Sequence, residues 1–193
     1  LRCMRRITPM LVLAALLIVP ATAGAQDDAD DAVGLTATVQ TGPTFFLDAA
    51  DERKRGYHVD IYPGYEVADG LSVELNLGFR SVDFQNQNGN DVKFSYIPAV
   101  VPGIRHHFNP NGVVQPYFHG HVGLGFAKAD TPGGLFDDGE STKETFTFNY
   151  GAGLDIFIID EFGLGVGVTG RHHVVNDEFR NLLEVDVGAS VKF

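Results

Sequence analysis

The sequence contains one cysteine and no tryptophan, and it has no long apolar run after residue 19. Because Cys3 precedes the first apolar segment, we expect the exported protein to have neither a disulfide nor thiol chemistry. The longest apolar run, Met10–Val19, has ten residues, whereas a transmembrane helix needs roughly 20. Basic residues are also few, and the formal charge is −11. This charge argues against a nucleic-acid partner, whose phosphates require a basic surface.

The first 25 residues have the three regions of a secretory signal peptide. Arg2, Arg5 and Arg6 precede the apolar run, and Ala23-Gly24-Ala25 follows it as a small-residue cleavage signal. We therefore predict a signal peptide over 1–25, cleaved after Ala25. Loss of its three arginines lowers the formal charge of −11 by three, to −14. An acidic leader over 26–32, which we expect to be disordered, precedes a single domain over 33–193.

That domain is rich in glycine and phenylalanine, with 23 and 15 of each in the whole chain. Apolar and polar residues alternate through eight segments, which is the pattern of a strand with two different faces. The predicted strands are Val33–Phe46, Gly56–Ala68, Leu71–Phe84, Val92–Phe108, Val113–Ala129, Glu144–Ile159, Phe162–Val175 and Leu183–Phe193. The sequence therefore predicts an all-β fold.

Short and long connections alternate strictly between these strands. The short ones are Asp69-Gly70, Asn109-Pro110-Asn111-Gly112 and Asp160-Glu161, all typical of tight hairpin turns. The long ones are Leu47–Arg55, Gln85–Asp91, Asp130–Lys143 and Asn176–Asn181. An even number of antiparallel strands with this alternation is typical of an up-and-down transmembrane β-barrel with short periplasmic turns.

The two faces of the strands indicate which side meets lipid. In the last strand, Val185 and Val187 alternate with Glu184 and Asp186. Most strand glycines fall on the polar face beside long charged residues, as the narrow lumen of a closed eight-stranded barrel requires. The opposite register would place acidic and basic residues in lipid, at roughly 2–4 kcal/mol for a basic residue at the midplane. We therefore predict a polar interior and an apolar exterior.

Aromatic residues are predicted to form a girdle at each end of the apolar face. The predicted outer girdle is Tyr57, Phe79, Phe94, Tyr96, Phe146 and Phe148, and the inner girdle is Tyr65, Phe108, Phe162 and Phe193. In the fourth strand this register turns Ile97, Ala99 and Val101 inward. Pro98 and Pro102 interrupt the same strand, so a bulge or local unpairing is expected there.

The inner face is predicted to hold a lumen polar network in two layers. The periplasmic layer contains Glu66, Glu74 and Asp155 with Arg105 and Lys192. The outer layer contains Asp60, Glu184 and Asp186 with Arg80 and Arg171, and His58 and His173 are able to add positive charge. Two interpretations are open: an ion pathway, or a paired polar plug that satisfies buried charges. We favour the plug because a barrel of this width is filled by its own side chains.

Metal binding has only weak candidates in the sequence. His119 and His121 are two residues apart on one strand, so both rings are predicted to point inward. A site would need further ligands, of which Asp155 or another acid is the candidate. Asp137-Asp138-Gly139-Glu140 lacks the alternating acidic spacing of a calcium loop. We therefore predict neither a metal nor a cofactor.

Catalysis would require a nucleophile and a base at hydrogen-bond distance. The candidates are Ser81 with His172 or His173, for an acyltransferase or deacylase acting on lipid A. Because no surrounding pattern supports this chemistry, we predict no catalytic residues.

Three segments resemble the small outer-membrane β-barrel family, which contains the transmembrane domain of outer-membrane protein A. They are Phe148–Asp155, Gly163–Val166 and Val187–Phe193, and the resemblance extends over about 33–193. It implies residence in the outer membrane of a Gram-negative bacterium, in contact with lipid and lipopolysaccharide. It also implies that the barrel-assembly machinery recognises the last strand, which ends in Phe193.

These observations favour a monomeric structural or interaction protein with a filled lumen and no wide pore. A narrow porin-like channel for small polar solutes is the alternative, and a lipid A-modifying barrel enzyme is the third hypothesis. The loop sequences identify neither a substrate nor a partner.

Overall fold

The computed structural model describes residues 34–47, 55–85, 91–130, 142–175 and 178–193. The predicted signal peptide and leader, and the loop containing Asp137-Asp138-Gly139-Glu140, lie outside the described residues. Within the described ranges, no helix is long and apolar enough to cross a membrane.

Ten strand segments make up the described structure, and every pairing between them is antiparallel. They are β1 (Leu35–Phe46), β2 (Arg55–Ala68), β3 (Leu71–Leu75), β4 (Leu77–Gln85), β5 (Asp91–Val100), β6 (Pro102–His107), β7 (Val114–Asp130), β8 (Thr142–Ile159), β9 (Phe162–Val175) and β10 (Glu178–Lys192).

The sheet closes on itself, since β1 pairs with both β2 and β10. Segments β3 and β4 follow one another along β2, and β5 and β6 follow one another along β7. The ten segments therefore occupy eight positions around a ring, in the order β1, β2, β3/β4, β5/β6, β7, β8, β9, β10. The predicted closed eight-stranded antiparallel barrel is confirmed.

The two interrupted strands break beside each other. Asn76 separates β3 from β4, Val101 separates β5 from β6, and the Asn76 backbone N–H donates to the Val101 carbonyl at 2.9 Å. The pairing of β5 with β7 also shifts register between Pro98 and Val100. This irregularity is the bulge that Pro98 and Pro102 predict, since proline offers no N–H to the ladder.

The bulge reverses the predicted facing of β5. Ile97 is 53% exposed and Ala99 is also exposed, whereas Phe94 and Tyr96 are buried. The inward assignment of Ile97 and Ala99 was therefore wrong, as was the placement of Phe94 and Tyr96 in the outer girdle. One extra residue in a strand moves every side chain before it to the opposite face of the sheet. Val101 follows the bulge, so of the three residues it alone faces inward as predicted.

The short turns at one end of the barrel match the prediction, whereas one of the long links at the other end is shorter than predicted. Gly70 has a φ of 72°, the left-handed conformation that a tight turn of this kind uses. We call the end with turns at 69–70, 109–112 and 160–161 the turn end, and the opposite end the loop end. There, β10 already begins at Glu178 and pairs with Val175, so the predicted long link Asn176–Asn181 was too long.

The apolar face is outward and the polar face is inward, as predicted. Leu124 and Val166 are each 56% exposed on the outer surface. On β10, Glu184 and Asp186 are buried, while Val185 and Val187 between them are exposed. A slip of one residue would invert this whole arrangement.

Inward glycines provide the space that long side chains occupy. A Cβ atom at Gly153 or at Gly167 would lie 2.5 Å from the Tyr117 hydroxyl oxygen. A Cβ atom at Gly165 would overlap the Asp155 carboxylate. Glycine is therefore a steric requirement at these inner positions, whatever its cost in a strand.

We expect Gly153→Val to destabilise the barrel by about 1–3 kcal/mol, because the new methyl groups overlap Tyr117. Ala152→Val is the matched control, since Ala152 is the exposed neighbour on the same strand. Urea unfolding of the refolded barrel, monitored by heat-modifiable electrophoretic mobility, measures both. Equal destabilisation by the two variants would contradict the assignment of faces.

Candidate functional site

The candidate site is the lumen itself, and every residue of the lumen polar network lies on the inner face. Nine of the ten are buried, and Lys192 is partly exposed near the turn end. The buried nine are Asp60, Glu66, Glu74, Arg80, Arg105, Asp155, Arg171, Glu184 and Asp186. Charged groups removed from water in this way are strongly destabilising unless they are paired and hydrogen-bonded.

Arg80 organises the charges near the loop end. Its Nη2 donates to both carboxylate oxygens of Asp60 at 2.7 Å, and its Nε donates to Glu184 Oε1 at 2.9 Å. Asp60 is on the neighbouring strand β2, but Glu184 is on β10, three ring positions from β4. The guanidinium therefore spans the lumen.

Arg171 completes this cluster from the other wall. Its Nη2 lies 3.2 Å from both Glu184 Oε2 and Asp60 Oδ2, and its Nη1 donates to Asn76 Oδ1 at 3.4 Å. The four charged groups Asp60, Arg80, Arg171 and Glu184, here called the guanidinium cluster, form a closed cycle. Each carboxylate accepts from both guanidinium groups, a charge-assisted arrangement of the strong kind.

Asp186 lies beside this cluster with partners of its own. Its Oδ1 is 2.9 Å from His58 Nε2, and its Oδ2 accepts a hydrogen bond from Thr169 Oγ1 at 2.7 Å. The other imidazole nitrogen of His58 is 3.1 Å from Thr44 Oγ1. His58 therefore bridges β1, β2 and β10 from a fully buried position.

The middle of the lumen is crossed along its full diameter. Gln40 Nε2 donates to the Tyr117 hydroxyl at 2.9 Å, and strands β1 and β7 stand directly opposite each other in the ring. The Arg105 guanidinium lies 4.5 Å from the ring centre of Tyr117 and 5.3 Å from that of Tyr62. Aromatic rings and a cation thus occupy the space between the two charge layers.

Near the turn end, the acids find partners that only partly match the predicted layer. Arg105 Nε donates to Glu74 at 2.7 Å. Asp155, however, is 3.0 Å from His107 Nε2, a residue that the sequence analysis missed. His107 follows Arg105 by two positions, so strand alternation was sufficient to place it on the inner face.

The remaining two members of this layer bind neutral groups. Lys192 Nζ donates to Gln115 Oε1 at 3.3 Å and lies 4.7 Å from the Phe157 ring centre. Glu66 accepts a hydrogen bond from the Gly70 backbone N–H at 2.7 Å. Its carboxylate therefore stabilises the first tight turn instead of pairing with a base.

An aromatic cap covers the guanidinium cluster toward the loop end. It consists of Phe94, Tyr96 and His173, all buried, with the Tyr96 and His173 rings 4.2 Å apart. Val82 and Leu182 are fully buried in the same part of the barrel. Sequence reasoning missed this cap because the predicted register placed Phe94 and Tyr96 outward, whereas the bulge in β5 turns them inward.

The predicted histidine pair points inward but does not meet Asp155. His119 Nε2 is 3.2 Å from Thr169 Oγ1, and His121 Nδ1 is 3.0 Å from Asn149 Oδ1. The nearest acid is Glu74, 3.4 Å from His121 Nε2. Among the residues that the structure describes, the group suited to hold a metal is instead His58, Glu184 and Asp186.

The structure separates the candidate catalytic residues. Ser81 is on β4 and the two histidines are on β9, which stand on opposite walls of the ring. His172 lies 2.5 Å from Asn181 Oδ1 and 3.4 Å from the Tyr150 hydroxyl, and His173 contacts Tyr96 in the aromatic cap. Ser81 and either histidine are therefore too far apart to form the nucleophile–base pair considered from the sequence.

Comparison with known proteins identifies one family and several solved structures of similar fold. Residues 11–193 match the family described as "Outer membrane protein beta-barrel domain", and no curated protein matches the sequence. The crystal structure of Neisserial surface protein A is similar, with a TM-score of 0.62 and 15% identity over 83% of this chain and 97% of that one. The Yersinia pestis attachment invasion locus protein Ail has a TM-score of 0.51 and 18% identity over 83% and 99%. At these identities the two structures show the fold alone.

We expect Arg171→Ala to reduce the free energy of unfolding by about 3–5 kcal/mol, because two buried carboxylates lose a shared cation. Glu161→Ala, which removes one charge at an exposed turn, should change it by less than about 0.5 kcal/mol. The temperature at which the barrel loses its fast electrophoretic migration reports both effects. An Arg171→Ala barrel as heat-resistant as the Glu161→Ala barrel would contradict a stabilising role for the cluster.

Proposed function

Because this chain belongs to the family of outer-membrane β-barrel domains, we propose that it is a structural and interaction protein whose lumen carries no solute. Family membership gives a bacterial outer-membrane location. The role of this chain in that membrane follows from the side chains that fill its lumen. The barrel braces the membrane through its apolar exterior, and its loops meet the surroundings.

The observation that carries this proposal is the set of contacts across the lumen. The guanidinium cluster joins opposite walls near the loop end, and Gln40 bonds to Tyr117 across the middle. A solute crossing the barrel would have to break both sets of contacts. Leaving a buried charge without its partner costs about 3–5 kcal/mol. Thermal fluctuations that open the lumen from end to end are therefore rare.

Export and assembly follow from the same location. We propose that the segment 1–25 is removed as a signal peptide, that the turn end faces the periplasm and that the host is Gram-negative. We also propose that the barrel-assembly machinery recognises β10 with Phe193. The Phe193 ring is 49% exposed and its backbone N–H donates to the Leu35 carbonyl at 2.9 Å, so the residue closes the barrel seam from the outer face.

The partners proposed for the exterior are lipids. The outward face carries apolar side chains suited to acyl chains, and the loops would meet lipopolysaccharide. We propose a monomer, because a closed ring leaves no strand edge for a second copy to pair with. The acidic composition gives no reason to propose a nucleic-acid partner.

A narrow channel for small polar solutes is the second candidate. It is favoured by buried polar atoms that have no hydrogen-bond partner, including both Nη atoms of Arg105, Nδ1 of His119 and Oε1 of Gln40. Such atoms call for ordered water, and a line of water is the beginning of a polar path. A lipid-modifying activity has no comparable support, since Ser81 lies across the barrel from His172 and His173.

We expect the refolded protein to show no steady conductance in planar lipid bilayers, and Arg171→Ala to be equally silent because Arg80 and Tyr117 still fill the lumen. Arg80→Ser, Arg171→Ser and Tyr117→Ser combined should conduct, because they remove three of the largest buried side chains in the lumen. This combined variant shows that the assay detects a pore through this barrel. A steady channel formed by the unaltered protein would favour the second candidate and overturn the first.

A further inference from the structure

We propose that His58, Glu184 and Asp186 bind a divalent transition-metal ion of the zinc type inside the barrel. One nitrogen and two carboxylate oxygens from these residues all lie within 4.8 Å of one another. His58 is on β2, while Glu184 and Asp186 are two residues apart on β10, so the donors converge from two walls. This metal site is distinct from the structural role argued above.

The donor set and its spacing fit zinc. Zinc binds imidazole nitrogen and carboxylate oxygen at about 2.0–2.2 Å, which in a tetrahedral site places ligand atoms about 3.3–3.5 Å apart. The His58 Nε2 and Asp186 Oδ1 atoms, at 2.9 Å, are slightly closer than that. All three donor atoms lie within 4.8 Å of one another, so small side-chain adjustments would bring them to the zinc spacing.

Two threonines hold the ligands in the orientation that binding requires. Thr44 Oγ1 lies 3.1 Å from His58 Nδ1, which leaves Nε2 facing Asp186 and Glu184. Thr169 donates to Asp186 Oδ2, so Oδ1 is the oxygen turned toward His58. Hydrogen bonds from a second layer of residues are how proteins orient metal ligands and fix the imidazole tautomer.

His58 Nε2 gives an independent indication of a missing partner. The atom is completely buried, and despite its short distance from Asp186 it makes no hydrogen bond of acceptable geometry. Buried imidazole nitrogens in proteins are almost always satisfied. A cation between the two groups would satisfy both.

The local charge balance also calls for a cation. When His58 is neutral, as a metal ligand must be, Asp60, Glu184 and Asp186 carry three negative charges, whereas Arg80 and Arg171 supply two positive ones, and all five side chains are buried. An unpaired buried carboxylate costs several kcal/mol. Because Arg80 and Arg171 contact both oxygens of Glu184, Glu184 is the weaker ligand, and His58 and Asp186 are the principal ones.

The test uses the tag-free protein refolded into detergent micelles with Zn²⁺ alone, or with Co²⁺ as a spectroscopic probe, followed by gel filtration in chelator. We expect about one retained metal ion per folded barrel, as a site with one set of ligands requires. With water as the fourth ligand, the Co²⁺ form should show the strong visible absorption of a four-coordinate ion. His58→Gln should reduce retained metal by at least about tenfold, the lower range seen when metal sites are perturbed.

His119→Gln is the matched control, because His119 is an equally buried lumen histidine outside the proposed ligand set. Fast electrophoretic migration verifies the fold of each variant. If His58→Gln does not fold, Thr44→Val tests the same site through its orienting hydrogen bond, and we expect at least about tenfold weaker retention. Folded protein that retains no zinc would overturn the proposal, as would equal retention by the His58 or Thr44 variant and the His119 variant.

Discussion

The narrowness of an eight-stranded ring is the constraint on which the whole interior depends. Every second side chain of each strand points into a space just wide enough for those side chains to fill. The hydrogen bond between Gln40 and Tyr117 shows how narrow that space is, because two side chains from opposite strands meet at 2.9 Å. Glycines at Gly153 and Gly167 then become necessary, because the Tyr117 ring occupies the room that their side chains would need.

The same constraint explains why the interior is charged and still stable. Lipid surrounds the barrel, so polar groups are placed inside, and a lumen with little space for water leaves them only one another as partners. In the guanidinium cluster, two arginines and two acids pair with one another in a closed cycle. Because those contacts join walls that are distant around the ring, they stabilise the closed barrel and fill its lumen at once. The proposed structural role and the proposed lack of a pore would thus have one cause.

Strand alternation predicted the fold because it is uninterrupted in most of the chain. In β10, the inward positions Glu184 and Asp186 follow directly from a period of two. It failed in β5, where Phe94 and Tyr96 alternate with Lys93 and Ser95, so the pattern assigned the two aromatic rings to the lipid face. The bulge that two prolines permit then reversed the parity of Phe94 and Tyr96. The predicted register therefore did not include the aromatic cap.

The sequence also could not predict which inward side chains pair across the lumen. Which inward residue meets which depends on the stagger of strands around the barrel, and spacing within one strand carries no information about it. The sequence thus placed His119 and His121 correctly inside and favoured Asp155 as their acid, whereas the acid near His121 is Glu74. It did not connect His107 with Asp155, or His58 with Asp186, although all four residues lie on predicted inward positions.

The central claim, that side chains fill the lumen, is tested most directly by thiol labelling, because no cysteine follows Cys3. Single cysteines at Thr147 and Ser190, both buried on the inner face near opposite ends, are compared with one at exposed Asp69. A small water-soluble thiol reagent should modify only the Asp69→Cys protein while the barrel is folded, and all three proteins after unfolding. Labelling of the folded Thr147→Cys and Ser190→Cys barrels as rapid as that of Asp69→Cys would contradict the account.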